Sequence, residues 1–476
     1  MTQVSSHPAE PPGLVEPTSG STALGPVAGD GPIERLMSTL ISKLAWSRLS
    51  QPRVAVTVSG VGLLLGMVVG ATAPNAETLQ IRLPLSHLLP SLNGIPFVAT
   101  ALLYTGDILA CLGLAGMLWA HSQGWRPNPR HLLLASASIV AVMVSLTPVG
   151  SSDAASYAAY GRIAAQGGNP YTTNPLAWGD YAYSHVVSAT WKTQPSVYGP
   201  FATAIQRFAA SIGGANVATT VWVLMILNGA VFLGVGWLLL KTSDDPVRAT
   251  LFWTANPVLI QQLVSGGHLD TFVAAAAICA IQVARRVSSL YGDVLIGVLI
   301  GLACEIKIYA VLIGIGLAWP LLQRREWMRT ARIAAASLVT VALGYGSYGL
   351  AALKPLFGGL QLATLPSPWR FLQLEGEALG VDRATLATIT SCIWPIALLV
   401  AAWFILRRIS SDQPREVVTP FALTFAWILV APWILPWYTA VAWVTLTQVP
   451  RNRMTRWLAI VTILLALVLS TGGRRT

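Results

Sequence analysis

The chain has 476 residues, of which 54% are hydrophobic and 10% are charged, whereas an ordinary soluble domain has about 25% charged residues. This composition excludes most soluble folds, disorder over most of the chain, and nucleic-acid binding as the main activity. The formal net charge of +11 could indicate an anionic partner, but in a membrane protein such an excess usually reports orientation.

Residues 1–50 are rich in Pro, Gly, Ser, Ala and Thr, and this composition predicts a disordered cytoplasmic tail. Residues 51–476 are predicted to form a single all-α membrane domain, because apolar runs follow one another almost to the end. About thirteen transmembrane helices are expected, several of them shorter than the roughly 20 residues of a straight span. The apolar runs are 53–71, 98–120, 131–149, 217–240, 250–264, 270–285, 291–304, 308–322, 331–350, 385–406, 417–433, 438–449 and 456–471.

The basic residues predict how the helices are oriented. If the N-terminus is cytoplasmic, most of the 30 lysines and arginines flank the inner ends of the runs, as the positive-inside rule requires. The sequence therefore predicts a multi-pass plasma-membrane protein with two long extracytoplasmic loops, about 150–216 and 351–384. Loops of this length are more often functional or disordered than simple connections, and the many tyrosines of the first loop disfavour disorder.

Several classes of site are missing from the sequence. The four cysteines lie far apart inside apolar runs, so neither a disulfide framework nor a zinc site is predicted. The sequence has no P-loop and no G-x-S-x-G motif, and neither a cofactor nor a metal is predicted. An enzyme of this kind must take its substrate from the membrane or the outer face, where the natural activated sugar is a lipid-linked sugar phosphate.

The first long loop opens with an acidic residue among tyrosines. Helical spacing places Asp153, Tyr157 and Tyr160 on one face. Asp153 is compatible with a plain helix N-cap and also with a base that accepts a proton from a sugar hydroxyl. Further along, Tyr171 and Tyr198 lie beside Gly and Pro residues that fix turns. They are interpreted either as rigid aromatic elbows or as an interfacial aromatic belt.

A second polar group follows two glycines between short apolar runs. His268 and Asp270 are costly at such a junction unless they are partnered or exposed, so they are either a solvated turn with a helix cap or cavity-lining groups. The next apolar region is too long for one span, and its division into a hairpin brings Glu305 and Lys307 to the outer surface. Lys307 is then a candidate to hold a phosphate, and the alternative is an internal Glu305–Lys307 ion pair.

Four further residues are candidates by position. Arg370 in the second long loop could bind a phosphate through its guanidinium group, or be a solvated loop charge. Trp437 and Tyr438 at a later outer turn are either site residues or an interfacial anchor. Asp107 lies within an apolar run, where an ionisable residue is a functional hypothesis by default.

These motifs resemble the GT-C class of integral-membrane glycosyltransferases. More narrowly, the sequence over about 130–450 resembles the actinobacterial polyprenol-phosphomannose-dependent α-(1→6)-mannopyranosyltransferases of lipomannan synthesis. The resemblance rests on Asp153, Ser156-Tyr157-Ala158-Ala159-Tyr160-Gly161, Gly168-Asn169-Pro170-Tyr171, Pro195-Ser196-Val197-Tyr198-Gly199-Pro200, Asn256-Pro257, His268-Leu269-Asp270, Lys307 and Pro436-Trp437-Tyr438. The family usually has His-Asn-Asp where this chain has Leu269 in the middle.

The resemblance implies a single inverting displacement at the outer face of the plasma membrane. Asp153 would be the catalytic base, and mannose would pass from polyprenyl phosphate mannose to an α-(1→6)-mannan lipoglycan acceptor. The implied partners are thus the lipid-linked donor, the glycolipid or mannan acceptor and membrane lipid, with no nucleic acid. The implied substrate-binding residues are Tyr157, Tyr160, Tyr171, Tyr198, His268, Asp270, Lys307, Arg370, Trp437 and Tyr438.

Other functions are open at this point. A GT-C transferase that uses a different prenyl-phosphate sugar, such as decaprenyl phosphoarabinose, would show the same motifs. A transporter or flippase for lipid-linked sugars would have paired inverted repeats and a polar site near the bilayer midplane, but no convincing repeat is visible and most polar candidates cluster at the outer face. A non-catalytic scaffold would leave the Asp153 region unexplained.

Overall fold

A computed structural model of the protein describes residues 50–72, 81–90, 96–355, 363–364, 367–409 and 413–469. The chain divides into two units, Met1–Arg48 and Leu49–Thr476. The first unit lies outside the described residues, so the disordered tail stays a prediction, as does the extent of the membrane domain. Parts of the second long loop also lie outside the described ranges.

The second unit is helical, and within the described ranges no residue lies in a β-strand. Its first helices are α1 (Pro52–Thr72), α2 (Pro96–Ser122) and α3 (Pro129–Met143). The first long loop contains α4 (Asp153–Ala165), α5 (Pro175–Trp178), α6 (Tyr181–Ser184), α7 (Ala189–Lys192) and α8 (Pro200–Gly213). After this loop come α9 (Val217–Thr242), α10 (Pro246–Phe252) and α11 (Pro257–Leu259), which continues as a π-helical turn over Ile260–Ser265.

The second half of this unit continues in the same way. Its first helices are α12 (Asp270–Arg286), α13 (Leu290–Cys304), α14 (Val311–Gln323) and α15 (Trp327–Tyr348). They are followed by α16 (Pro368–Ala378) in the second long loop, and by α17 (Arg383–Arg408), α18 (Arg415–Val430), α19 (Thr439–Leu446) and α20 (Met454–Leu469). Each predicted apolar run overlaps at least one of these helices.

Proline and short polar residues determine where the helices begin. Proline lies in the first turn of α3, α8, α10, α11 and α16, where its missing N–H has no intrahelical partner to lose. Side-chain oxygens accept hydrogen bonds from the first free backbone N–H groups at α3, α9, α10, α13 and α17. The residues that provide these oxygens are Asn128, Asn216, Asp245, Ser289 and Asp382.

Among the described residues, four helices are long and apolar enough to cross a membrane, and they are α1, α2, α9 and α17. The helical stretch 257–265 and α12 meet at an angle of 118° and would together form a fifth span. Helices α3, α13 and α20 are apolar but shorter. The chain is therefore a membrane protein, whereas the count of about thirteen spans and the side on which each loop lies stay predictions.

The apolar run 250–264 is a broken helix, and the break brings polar residues to the candidate site. The Asn256 side chain accepts hydrogen bonds from two backbone N–H groups and starts α11. After the π-helical turn, Gly267 has a φ of +70°, which a residue with a side chain rarely adopts. The chain reverses at this glycine, and α12 begins at Asp270.

The first long loop is folded and packs against the turn between α13 and α14. Helices α4 and α8 touch at Gly161, where a Cβ would clash with the backbone of Gln206. A Cβ at Gly199 would likewise clash with the backbone of Glu305, whose carbonyl oxygen accepts a hydrogen bond from the Ala202 N–H at 3.3 Å. The apolar region 291–322 forms the separate helices α13 and α14, so its predicted division into two helices is confirmed.

Helices α1 and α2 pack through glycine. A Cβ at Gly62 would lie 2.7 Å from the carbonyl oxygen of Gly106 and 2.8 Å from the backbone nitrogen of Ala110, and neither atom can move without separating the helices. We expect Gly62→Ala to lower the free energy of unfolding by about 1–3 kcal/mol, the usual effect of overpacking. Thermal unfolding of the purified protein in detergent measures this change.

Gly60 on the same helix is the matched control, since no atom lies within 4 Å of a Cβ placed there. Gly60→Ala should leave stability unchanged or raise it slightly, because alanine favours a helix over glycine by up to about 1 kcal/mol. Equal destabilisation at both positions would contradict the close packing of α1 on α2.

Candidate active site

Asp153 is the first residue of α4, and its carboxylate does not cap the helix. Ser152 occupies the N-cap position, and the Asp153 N–H donates a hydrogen bond to the Ser151 hydroxyl at 3.1 Å. The carboxylate instead accepts a hydrogen bond from the Tyr157 hydroxyl, one turn along, at 3.2 Å. The capping interpretation is therefore wrong, and the carboxylate is free for other chemistry.

Oδ2 of Asp153 also lies 3.4 Å from Nδ1 of His268, and 19% of the Asp153 side chain is exposed against 1% for His268. Burial raises the pKa of Asp153, but the contact with His268, the charge of Lys307 and the Tyr157 hydroxyl together hold this pKa below its ordinary value. The carboxylate is therefore ionised at neutral pH, partly exposed and able to accept a proton.

His268 is held by contacts to its ring and its backbone. The imidazole stacks on Trp437 with 3.6 Å between the ring centroids and 13° between the planes. The Asn228 amide, from α9, donates to the His268 carbonyl oxygen at 2.8 Å, and the His268 N–H donates to the Leu263 carbonyl oxygen at 3.0 Å. These contacts fix Nδ1 beside Asp153, so His268 is suited to orient the carboxylate.

Asp270 and Lys307 form a buried ion pair. Lys307 Nζ lies 2.6 Å from Oδ2 of Asp270, and the Tyr309 hydroxyl donates to Oδ1 at 2.7 Å. The side-chain exposures are 0% for Asp270 and 11% for Lys307. The interpretation of Asp270 as a solvated cap is therefore wrong, and so is the internal Glu305–Lys307 pair.

Lys307 keeps hydrogen-bonding capacity beyond this pair. Its ammonium group has three N–H donors, of which Asp270 accepts one, and the charge lies 4.4 Å from the ring centroid of Tyr438 and 5.9 Å from that of Tyr198. Burial lowers the pKa of Lys307, but the charge of Asp270 and the hydrogen bond to it raise this pKa above its ordinary value. Lys307 is therefore a permanent cation at the edge of the site.

These side chains form a closed series of contacts, here called the site perimeter. Tyr157 and Tyr198 pack edge to face with 4.9 Å between centroids, and Trp437 and Tyr438 do so at 6.2 Å. In order of contact, the site perimeter consists of Asp153, His268, Trp437, Tyr438, Lys307, Tyr198 and Tyr157. The perimeter thus combines a carboxylate, a cation and aromatic rings.

Four predicted substrate-binding residues lie outside the site perimeter, and one of them, Asp270, holds Lys307 from behind it. The Tyr160 hydroxyl donates to the carbonyl oxygen of Gln194 at 3.0 Å and ties α4 to the loop before α8. The Tyr171 hydroxyl hydrogen-bonds with α8, and its ring packs against Tyr348 at 5.0 Å. Arg370 lies in α16, and its guanidinium forms no hydrogen bond or ion pair with the described part of the chain. Their geometry gives Tyr160 and Tyr171 a packing role.

Sequence reasoning missed two residues that support the site. The Tyr309 hydroxyl donates a hydrogen bond to the Asp270 carboxylate, and its ring stacks on Trp427 with 4.3 Å between centroids. The Asn228 amide donates to the backbone carbonyl oxygen of His268. The available signal for Tyr309 is its position two residues after Lys307. For Asn228 it is a polar side chain inside an apolar run, which is costly without a partner.

Glu305 lies in the turn after α13 and is 4% exposed. Its carboxylate is in contact with Gly344 of α15, and Oε1 accepts no hydrogen bond from any described residue. Burial raises the pKa of Glu305 to about 7, because the charged form loses its hydration without gaining a partner. Glu305 is therefore an acid that titrates near neutral pH beside the site.

Asp107 lies on α2 and is 4% exposed. With Gln261 and Gln262 of the π-helical turn it lines a small crevice that His268 also lines. The structure therefore places this predicted functional residue near the site, although outside the site perimeter.

The protein has helices of membrane-spanning length. At the ends of its helices, a carboxylate, a lysine and aromatic rings come together. It is therefore an integral membrane protein with a polar site at its helix ends. The family described as alpha-(1->6)-mannopyranosyltransferase, N-terminal domain, matches residues 53–323. This match covers more than half of the chain, and the protein belongs to that family. The matched range contains Asp153, His268, Asp270 and Lys307.

Individual relatives are similar at low identity. The chain is 25% identical to α-(1→6)-mannopyranosyltransferase A of Mycobacterium tuberculosis over 369 residues, which cover 72% of this chain and 69% of that protein. It is 26% identical to α-(1→6)-mannopyranosyltransferase B of Corynebacterium glutamicum over 343 residues, 63% of this chain and 55% of that protein. A further α-(1→6)-mannopyranosyltransferase of M. tuberculosis is 28% identical over 29% of this chain, and the match covers only 24% of that protein. No solved structure matches the chain significantly.

The buried ion pair leads to a stability prediction. Lys307→Met leaves the Asp270 carboxylate buried without its cation, and breaking a buried pair in this way usually costs about 3–5 kcal/mol. We expect a loss of this size in the free energy of unfolding, measured in detergent. The control is Lys307→Met combined with Asp270→Leu, which removes both charges and should recover much of the loss. Undiminished stability of Lys307→Met alone would refute the burial of the pair.

Glu305 leads to a pH prediction. The folded pKa of about 7 lies above the ordinary value of 4.5, so between these values the folded state holds a proton that the unfolded state has lost. Stability should therefore fall as pH rises from about 4.5 to about 7, by up to about 1.4 kcal/mol per pH unit. Glu305→Gln should flatten this decline, as measured by unfolding at pH 5, 6, 7 and 8. The exposed Glu375→Gln is the control, and identical pH profiles for both variants would contradict the assignment.

Proposed function

We propose that the protein is a mannosyltransferase that transfers mannose from polyprenyl phosphate mannose to an α-(1→6)-mannan lipoglycan acceptor at the outer face of the plasma membrane. The observation that carries the proposal is the partly exposed Asp153 carboxylate beside buried His268, in a site perimeter that also contains Lys307. Family membership supports the transfer of mannose. The lipid-linked donor and the mannan acceptor rest on the sequence resemblance.

In the proposed reaction, Oδ2 of Asp153 accepts the proton of the attacking acceptor hydroxyl. The hydroxyl oxygen forms a bond to the anomeric carbon of mannose while the bond from that carbon to the phosphate oxygen breaks. The electron pair stays on the phosphate, which leaves attached to the prenyl chain. One displacement inverts the configuration, so a β-linked donor gives an α-linked product. No strong general acid is needed, because phosphate is already a good leaving group.

The other residues of the site perimeter bind and position the substrates. Lys307 directs its remaining N–H donors and its charge to the departing phosphate, while Asp270 and Tyr309 hold the lysine in place. Tyr157 and Tyr198 offer aromatic surface to the sugar. His268 keeps the Asp153 carboxylate oriented towards the acceptor hydroxyl.

The helix ends support an outward-facing site. Helix α12 begins with Asp270 at the site and ends with Arg285 and Arg286. Helix α14 begins shortly after Lys307, and Arg324 follows its last residue. Arginines thus gather at the ends opposite the site, which the positive-inside rule assigns to the cytoplasm.

Replacement of the proposed base tests the proposal directly. We expect Asp153→Asn to lower the rate of transfer by about 10²- to 10⁴-fold, the usual contribution of a general base. The assay follows mannose transfer from polyprenyl phosphate mannose to an α-(1→6)-mannose oligosaccharide by the purified full chain. Because the pKa of Asp153 is held below its ordinary value, titration of this group should not slow the wild type between pH 8 and pH 5.

Asp180→Asn is the matched control, since Asp180 lies in the same loop and pairs with Arg162 at 2.9 Å. This variant should retain most of the activity, and unfolding curves should show that both variants are folded. A folded Asp153→Asn variant with full activity would show that another group is the base.

The donor is tested separately from the base. The same assay with decaprenyl phosphoarabinose in place of the mannose donor distinguishes the alternative transferase. A wild type that transfers neither sugar but moves labelled lipid-linked sugar across vesicles would instead be a transporter.

Within the described residues, no group of three or more His, Cys, Asp or Glu side chains could hold a metal ion. Metal independence stays a prediction, and transfer in the presence of a chelator checks it.

A further inference from the structure

A cavity lies at the ends of the helices opposite the candidate active site. It is formed where α12 and α14 end, where α13, α15 and α18 begin, and its volume is about 170 Å³. Helix α12 has 17 residues, and a rise of about 1.5 Å per residue separates the cavity from Asp270 by roughly 25 Å. The cavity is therefore distinct from the site perimeter and larger than a single water requires.

One part of the cavity wall is strongly basic. It contains Arg285, Arg286, Arg324 and Arg329 against a single acidic residue, Glu416. A guanidinium group has five N–H donors, and the protein uses only some of them. Arg286 donates to one backbone carbonyl oxygen at 3.1 Å, and Arg324 pairs with Glu416 at 2.5 Å.

Of the other two arginines, Arg285 leaves charge uncompensated and Arg329 does not. Arg285 donates to Gln448 at 2.8 Å, but its acidic partner Asp244 lies 3.4 Å away and is 83% exposed, so solvent screens the pair. Arg329 is neutralised by buried Asp293 at 3.1 Å and by Glu326 at 2.8 Å, so the excess comes from Arg285 and Arg286. The cavity therefore has a positive excess, with N–H donors available for the oxygens of an anion.

The other part of the wall is apolar. Ile296, Leu317, Leu321 and Ile333 line it, and they belong to three helices that run towards the opposite side of the molecule. A free inorganic anion would leave this surface unused. A molecule with a phosphate at one end and a hydrocarbon chain at the other would match both parts of the wall.

We propose that this cavity binds an anionic phospholipid, with its phosphate among Arg285, Arg286 and Arg324 and an acyl chain along the apolar wall. Arginine suits this role because its planar guanidinium group binds phosphate oxygens in pairs. Basic pockets between the ends of membrane helices are expected to take lipid headgroups in this way. The proposal does not depend on the transferase activity.

Native mass spectrometry of the full chain in detergent tests the proposal. The probes are phosphatidylglycerol and phosphatidylcholine with the same acyl chains, added at equal concentration. We expect phosphatidylglycerol to remain bound at least threefold more often than phosphatidylcholine, and this preference to fall as ionic strength rises. Equal retention of the two lipids would overturn the proposal.

Variants of the cavity arginines test whether the lipid binds in the cavity. Arg286→Gln combined with Arg324→Gln should remove most of the phosphatidylglycerol preference. The control is Arg130→Gln, an exposed arginine at the start of α3 that does not line the cavity. Arg324→Gln alone, at a side chain that is 52% exposed, provides the same comparison if the double variant does not fold. An unchanged preference in the cavity variants would overturn the proposal.

Inorganic phosphate distinguishes the two sources of the ligand. The expected result is that phosphate raises the unfolding temperature of the wild type less than phosphatidylglycerol does, because it cannot cover the apolar wall. If phosphate stabilises the protein as strongly as the lipid does, and Arg286→Gln with Arg324→Gln abolishes both effects, the cavity is a site for the free anion and the lipid proposal is wrong.

Discussion

The buried ion pair between Asp270 and Lys307 is the interaction on which the site depends. It joins the first residue of α12 to the turn between α13 and α14. Because either charge would be costly without the other, the reversal at Gly267 and this turn must keep their relative positions. The same turn receives the first long loop at Gly199, and the loop carries Tyr198 to the site. A single electrostatic constraint thus places groups from three parts of the chain.

In the site, the groups proposed to react are more exposed than the groups that hold them. Asp153 and Lys307 keep partial exposure, whereas His268 and Asp270 are almost completely buried. A buried partner keeps its position because it cannot turn away without losing its contacts, and an exposed group remains accessible to substrate. This division suits a reaction in which the positions of base and cation must be fixed before two substrates arrive.

The sequence predicted the helices well because apolar runs identify them directly. It singled out Asp153, His268 and Lys307, which the fold brings together, because polar residues stand out among those runs. It could not predict contacts between distant segments. Glu305 stands two residues from Lys307, yet the partner of Lys307 is Asp270, 37 positions away. Tyr160 shares a helical face with Asp153, but the folded loop offers its hydroxyl a backbone carbonyl oxygen instead. Hydropathy alone does not reveal where a helix breaks, so the number of spans cannot be predicted from hydropathy either.

Two helices begin at the site, since Asp153 and Asp270 are the first residues of α4 and α12. Aligned peptide dipoles leave about half a positive elementary charge at the N-terminus of a helix. The backbone itself therefore contributes a positive potential where the two carboxylates lie. Such a potential also attracts phosphate groups, so the proposed phosphate-linked donor would meet a positive field from the peptide groups as well as from the lysine.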